Sequence, residues 1–310
     1  MNVIYEKLPS RRREYIATIG VFDGIHRGHQ FILKKVSKLA QRKKTPSLVV
    51  TFDISPKSFL NKNFSGCIID LEEKKSLIKS LGIDYLWILK VHASFLKLSG
   101  EEFINYILKY VAIDELIVGD DFHFGYRGEN NINCLKRLKE RFRFGLTVVK
   151  RRKREGKIVS SSLIREFIRE GEFGKVKKFL GRNYFLRGEV FKGLGYGQKL
   201  GFPTANIHTF DCSVPRRGAY AAIVEIGRKK YLSAVNIGLR PTIAKPKAES
   251  RKPKAVVEAH IINFHKDILG KTLKIIFLER IREERKFSSL QQLKQAIRKD
   301  IQYILSKMKL

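Results

Sequence analysis

The sequence predicts two folds in one chain: a doubly wound, parallel α/β sheet of the Rossmann-like kind, then an antiparallel β-barrel with a closing helix. Three observations lead there. A chain of 310 residues, 43% of them hydrophobic, is long enough to bury two separate cores. Up to about residue 180, strand-like apolar runs alternate with stretches of helical period, as parallel sheets require. From about residue 184, short apolar runs follow one another through turn residues, which suits a barrel.

The elements follow in order. "YIATIGVF" (15–22) reads as a strand, and "GHQFILKKVSKLAQRKK" as a helix with Phe31, Ile32, Val36, Leu39 and Ala40 on or near one stripe. "SLVVTFD" (47–53) is the next buried strand. A helix over roughly 71–80 stops at Gly82, and "IDYLWIL" follows as a strand. "SGEE" (99–102) matches a capping box that opens the helix "EFINYILKYV". Strand "ELIVG" (115–119), a helix near 131–142 and strand "GLTVVK" (145–150) complete the alternation. The barrel strands are "YFLRGEVFKG", "GAYAAIVEIG", "KYLSAVNIG", "AVVEAHIINF" and "LKIIFLERI". The last helix, "SLQQLKQAIRKDIQYILSKM", places Leu290, Leu293, Ile297, Ile301, Ile304 and Leu305 at helical spacing to pack across the barrel. A boundary at "LGRNY" (180–184) gives domains 1–182 and 183–310.

Lys and Arg number 63 against 30 Asp and Glu, a formal charge of +33. Phosphate neutralisation makes nucleic-acid binding one reading of such a charge. The cations are instead spread over helices and loops alike, with no compact basic arm, so a solvated surface that also draws in nucleotides is preferred and no specific nucleic acid is expected. No apolar run is long enough to span a bilayer, and the N-terminal stretch has no signal-peptide core. Cys67, Cys134 and Cys212 are odd in number and far apart, which fits a reducing compartment. The expected location is the cytoplasm, and the oligomeric state is left open.

Two stretches carry chemistry in the first half. "GVFDGIHRGHQ" (20–30) sets His26 and His29 where a strand feeds a helix. Free N–H groups and the positive end of the helix dipole favour phosphate there, and Gly28 lets a ligand approach. H-x-x-H spacing also suits zinc, but no third ligand is evident. Taken alone, an ordinary polar turn fits as well as a phosphate site. "VSSSLIREFIREG" (159–171) puts Ser160, Ser161 and Ser162 before a helix, with Arg165 as a charged fork; a plain N-cap is the competing reading.

In the second half, "GLGYGQKLGFPTANI" (193–207) combines a glycine string with a strand on which Thr204 and Asn206 point the same way. Their hydroxyl and amide oxygens are hard ligands suited to Mg²⁺ beside ATP phosphates, unless they merely form a polar strand edge. Glu258, in the apolar run "AVVEAHIINF", is either a structural ion-pair partner or a general base.

Together these segments resemble, in order and over nearly the whole chain, the bifunctional riboflavin kinase/FAD synthetase family. "GVFDGIHRGHQFIL", "VGDDFHFGYRGENN" (118–131) and "VSSSLIREFIREG" resemble the adenylyltransferase half; "GFPTAN", "EAHIINF", "AVNIGLRPT" (234–242) and "IREERKF" (281–287) resemble the kinase half. The resemblance implies two activities: phosphorylation of riboflavin to FMN, then joining of AMP from ATP to FMN, giving FAD and pyrophosphate. It implies His26 and His29 at the adenylyl transfer, with Phe22, Gly28, Ser160, Ser161, Ser162 and Arg165 on ATP, and Asp121 and Phe122 on the flavin side. For the kinase it implies Glu258 as base, Gly193, Gly195, Gly197, Gly201, Pro203, Thr204 and Asn206 around Mg-ATP, and Asn236, Arg240 and Arg282 on the flavin side. One departure stands out. The family's F-x-P-H-P segment reads "FDISP" (52–56), with Ser55 in place of the histidine. A serine cannot become cationic, so adenylylation is slowed or lost, or another basic residue such as Lys57 compensates.

Overall fold

The computed structural model describes residues 1–5, 13–61, 64–193, 197, 201–210, 212–239, 255–285 and 287–308, and the chain divides into two compact units, Met1–Ser161 and Ser162–Leu310. The first unit holds a six-stranded sheet: β1 (Asn2–Tyr5), β2 (Glu14–Ile19), β3 (Ser47–Phe52), β4 (Tyr85–Leu89), β5 (Ala112–Gly119) and β6 (Gly145–Val149). Its order is β1-β4-β3-β2-β5-β6, and every neighbouring pair is parallel. The crossovers are α1 (Arg27–Lys43), α2 (Pro56–Leu60), α3 (Leu71–Ser80), α4 (Gly100–Tyr110) and α5 (Ile132–Phe142). A two-stranded hairpin, β7 (Lys153–Arg154) and β8 (Lys157–Ile158), follows.

Burial explains the order. Tyr15, Ala17 and Ile19 fall two apart on β2, as do Leu48, Val50 and Phe52 on β3 and Trp87 and Leu89 on β4. That alternation turns one face of the sheet toward Phe103, Ile104 and Ile107 of α4 and Leu135 and Leu138 of α5. The alternate residues are buried as well, so β3 reads as an uninterrupted apolar run, as expected of a sheet covered on both faces. Helix α1 buries Leu33, Val36, Ser37 and Ala40, which lie at i, i+3, i+4 and i+7. The expected stripe is thereby shifted: Phe31 is exposed, with the Arg152 guanidinium 3.8 Å from its ring centroid. The edge strand β1 had no signal in the sequence, being short and flanked by a charged stretch.

Helices α6 (Ser161–Glu170) and α7 (Phe173–Leu180) follow, Ser161 being the last residue of the first unit. The barrel strands are β9 (Phe185–Phe191), β10 (Ala205–Thr209), β11 (Gly218–Ile226), β12 (Lys229–Leu239), β13 (Ala255–Ile261) and β14 (Thr272–Glu283). They close antiparallel in the order β10-β13-β12-β11-β14-β9, with β9 pairing back to β10. Val190, Ile207, Val235, Ile237, Val257 and Ala259 are all buried and alternate with half-buried or exposed residues, the signature of a filled small barrel. Phe173 of α7 stacks on Tyr184 and Phe277.

The final helix, α8 (Leu290–Lys307), packs on barrel strands through Ile304, Ile301 and the following Met308, against Ala221, Leu232, Ala234, Leu278 and Ile281. Leu290 and Leu305, expected in this contact, are 71% and 53% exposed. They lie off the packed stripe, Leu290 at the very start of the helix. The Arg282 guanidinium meets the buried Asp300 carboxylate of α8 in a bidentate pair, at 3.0 Å from Nε and 2.8 Å from Nη2.

The capping box of α4 is complete: Ser99 Oγ accepts from Glu102 N at 3.2 Å and Glu102 Oε2 accepts from Ser99 N at 2.8 Å. Ser99→Ala should therefore cost the first unit about 1 kcal/mol in urea unfolding. The readout is fluorescence of Trp87, the chain's single tryptophan, which is fully buried on β4. No shift in midpoint would show that the cap contributes nothing.

Candidate active sites

The sheet order reverses at β2, whose neighbours are β3 and β5, so the loop at its carboxyl end is where such sheets bind ligands. That loop is wound tightly. Phe22 (φ 49°) and Ile25 (φ 38°) both adopt left-handed backbone, a conformation that non-glycine residues hold only when their surroundings enforce it. The surroundings do. Asp23 Oδ1 accepts from Ile68 N at 2.8 Å, the Asp23 carbonyl accepts from Ser161 Oγ at 2.9 Å, and the Ile25 carbonyl accepts from Gln30 Nε2 at 2.8 Å.

His26 then serves as the N-cap of α1: its Nδ1 accepts from His29 N at 3.2 Å. An accepting Nδ1 leaves the proton of a neutral His26 on Nε2. The two imidazoles stack with centroids 3.6 Å apart and planes 17° apart, and His29 meets Phe22 edge-on at 5.3 Å. A Cβ at Gly28 would fall 3.1 Å from the His26 ring, so a larger residue would push against the stack. His29 Nδ1 is enclosed and has no hydrogen-bond partner among the described residues. Burial, reinforced by His26 and then Lys74, holds the His29 pKa well below the usual imidazole range. At neutral pH His29 therefore offers a hydrogen bond rather than a charge.

The serine segment comes to the same turn through Ser161, while Ser160 and Arg165 are half-buried and Ser162 is exposed. Asp121 is exposed, and the Phe122 ring stacks on Phe124 at 5.3 Å. Ser55 is the N-cap residue of α2, its side chain making no capping bond, and Lys57 on that helix is exposed. Lys74, which sequence reading passed over, is 6% exposed, and its Nζ donates to the Phe52 carbonyl at 3.3 Å. Nothing in "LEEKKSLIKS" marks it, because a lysine in a charged run normally faces solvent.

In the second unit, strand register assembles the other site. Asn206 on β10 stands directly opposite Glu258 on β13, and Glu258 stands opposite Asn236 on β12. Cross-strand partners share a face, so these three half-buried polar residues form a row; the flanking Val257, Ala259, Ile207, Val235 and Ile237 are buried and point the other way. The row continues through Ala219 on β11 to Arg282 on β14, where the guanidinium is engaged by Asp300.

Thr204 lies just before β10 rather than on it. The backbone at Gly193 presses on Asn206: a Cβ there would collide with the Asn206 side-chain amide. The Gly197 carbonyl accepts from Phe202 N at 2.9 Å, and Gly201 has φ +82°. The Pro203 carbonyl is 2.9 Å from His260 Nδ1, and the His260 ring meets Phe202 edge-on at 5.6 Å. His260 thus ties the "GFPTAN" segment to the strand that carries Glu258. Gly195 and Arg240 lie outside the described residues. A hydroxyl, an amide oxygen and a neighbouring carboxylate form a hard-oxygen donor set, which fits Mg²⁺ brought in with a polyphosphate.

The depressed His29 pKa has a sign that can be measured. Below about pH 6.5 the unfolded chain binds a proton at this residue that the folded site refuses, so stability falls with pH through that window. The Trp87-monitored unfolding midpoint should drop between about pH 7 and about pH 5, with a shallower drop in His29→Gln. Identical pH profiles for the two proteins would place the acid sensitivity elsewhere.

Comparison with known proteins agrees across both units. A family model described as FAD synthetase matches residues 8–163, and one described as riboflavin kinase matches residues 180–308. The bifunctional riboflavin kinase/FMN adenylyltransferase of Pseudomonas fluorescens is 32% identical over 295 residues, covering 95% of this chain and 93% of its own. The Buchnera aphidicola (Schizaphis graminum) protein of the same description is 33% identical over 291 residues, covering 93% and 92%. The crystal structure of a macrolide-efflux protein from Streptococcus pneumoniae superposes with a TM-score of 0.84 at 28% identity, covering 99% of both chains. Among the described residues no helix is long and apolar enough to cross a membrane. With both family models matched in order and whole-length relatives above 30% identity, the chain belongs to the bifunctional riboflavin kinase/FMN adenylyltransferase family.

Proposed function

We propose that this protein makes FAD from riboflavin in two ATP-dependent steps, phosphorylation in residues 183–310 and adenylylation in residues 1–182. The observation that carries the reading is the row Asn206–Glu258–Asn236, which sets a carboxylate between two amides on one face of the barrel. Glu258 takes the proton of the ribityl terminal hydroxyl as that oxygen attacks the γ-phosphorus of ATP, and ADP leaves. Thr204 and Asn206 hold Mg²⁺, which neutralises phosphate charge when bound. Gly193, Gly195, Gly197, Gly201 and Pro203 are assigned to ATP, and Asn236, Arg240 and Arg282 to the flavin side, Arg282 acting through its grip on Asp300 as a positioning residue.

In the first unit a phosphate oxygen of FMN attacks the α-phosphorus of ATP in line, and pyrophosphate departs without a covalent enzyme intermediate. His26 and His29 donate to the reacting phosphates, with Phe22, Gly28, Ser160 and Ser161 around ATP, and Asp121 and Phe122 toward the flavin. A kinase with a lost adenylyltransferase is not favoured, since the FAD synthetase model spans the segment that contains Ser55. ATP, riboflavin and FMN are the partners. The scattered basic charge serves solubility and ligand attraction rather than a nucleic acid, and the work is placed in the cytoplasm, where ATP is supplied.

Purified protein with riboflavin, ATP and Mg²⁺ should form FMN and then FAD, followed by chromatography. Glu258→Ala should lower FMN formation about 10²–10⁴-fold while supplied FMN is still adenylylated. His29→Ala should lower adenylylation about 10²–10³-fold and spare the kinase. Loss of both activities from either folded variant would overturn the two-site assignment.

A further inference from the structure

A buried lysine needs an explanation. Lys74 sits on α3 with 6% of its surface exposed, yet its ammonium makes a single hydrogen bond among the described residues, a 3.3 Å contact to the Phe52 carbonyl. An ammonium has three protons to donate, and burying it without strong partners is costly. The obvious structural explanation is charge balance by the two acids nearby, Asp23 and Asp53. Neither reaches it as an ion pair. Asp23 Oδ1 is engaged by Ile68 N at 2.8 Å, and Asp53 Oδ1 by Ile54 N at 2.7 Å and Val91 N at 3.0 Å.

The position is as telling as the lack of partners. Phe52 is the last residue of β3, so Lys74 Nζ lies at the carboxyl edge of the parallel sheet, where β2 also delivers its histidine turn. His29 is close enough for the charge of Lys74 to press on its ring, and Asp23 of that same turn feels it too. The charged and titratable groups facing Lys74 are Asp23 and His29 from the turn, Asp53 from the end of β3, and Cys67 from the segment before α3. Burial lowers the Lys74 pKa against the opposing pull of Asp23, Cys67 and Asp53.

We propose that Lys74 is the polyphosphate-binding cation of the adenylyl-transfer site, its spare N–H groups donating to the departing pyrophosphate portion of ATP. This rests on the adenylyltransferase reading given above. His29 supplies a hydrogen bond, and Lys74 supplies positive charge to meet the negative charge that a leaving pyrophosphate gathers as its bond to the α-phosphorus breaks. Lys57, exposed on α2, is not needed for this task.

The test compares wild type, Lys74→Met and Lys74→Arg in both directions of the reaction, with Trp87 fluorescence confirming the fold of the first unit. Wild type must make FAD from FMN and ATP; if it does not, the adenylyltransferase reading fails and not Lys74 alone. Given that activity, Lys74→Met should lower kcat/KM for ATP about tenfold or more, and for pyrophosphate in the reverse reaction with FAD equally. The KM for FMN should stay unchanged, and Lys74→Arg should keep part of the loss from appearing. Wild-type activity should fall as pH rises toward the lysine range, because the ammonium loses its proton, and Lys74→Met should lack that alkaline limb. Equal loss toward ATP, pyrophosphate and FMN, or an unchanged alkaline limb, would make Lys74 a structural residue. Should Lys74→Met fail to show the native Trp87 signal, acetic anhydride labelling of the wild-type protein decides. Protection of Lys74 by pyrophosphate, read by peptide mass spectrometry, supports the proposal, and equal labelling with and without it overturns it.

Discussion

The first unit turns on Asp23. Its carboxylate takes the N–H of Ile68 and its carbonyl takes the hydroxyl of Ser161, so one residue fixes segments 45 and 138 positions away in the chain. Those bonds, with the Gln30 amide on the Ile25 carbonyl, help enforce the left-handed backbone at Phe22 and Ile25. With them, the chain leaves β2, reverses tightly and enters α1 at a histidine whose ring caps the helix. Every other feature of the site inherits this geometry: the imidazole stack, the enclosed His29 Nδ1 and the arrival of the serine segment at the turn.

The barrel site depends on register instead of a turn. Asn206, Glu258 and Asn236 meet because three strands pair at one level, and a slip of one residue on any strand would turn its polar group into the core. The buried Val257, Ala259, Ile207 and Ile237 prevent that slip, since each would be forced outward. Hydrophobic alternation and the polar row are thus one constraint seen from two sides. His260 adds a tether from the same strand to Pro203, which keeps the residues just before β10 and the carboxylate strand in step.

Local signals in the sequence were read well where a few neighbouring residues decide the outcome. The capping box at Ser99, the strand periods of the barrel and the placing of His26 and His29 at a strand-to-helix junction are of this kind. The α1 stripe expected through Phe31 runs instead through Leu33, which completes the buried i, i+3, i+7 series with Val36 and Ala40. That His26 caps its own helix needs the turn conformation, and the neutral state of His29 needs its burial; neither is written in "HRGH". The bidentate use of Arg282 by Asp300 joins a strand to a helix and is equally beyond local pattern.

Charge shows the same limit. With 63 basic side chains in the sequence, a reader has no way to single out one that matters. Solvated cations more than about 10 Å from a phosphate are largely screened at ordinary salt, so most of that +33 contributes a diffuse attraction only. A cation in a low-dielectric site interacts several times more strongly at the same distance. Neutral His29 brings no net charge to the turn, so the strongest field there comes from a cation that burial has stripped of water. Among the basic residues around the turn, Lys74 meets that condition and exposed Lys57 does not. What distinguishes the site is the solvation of one ammonium, a property set by α3 packing against the histidine turn and the end of β3.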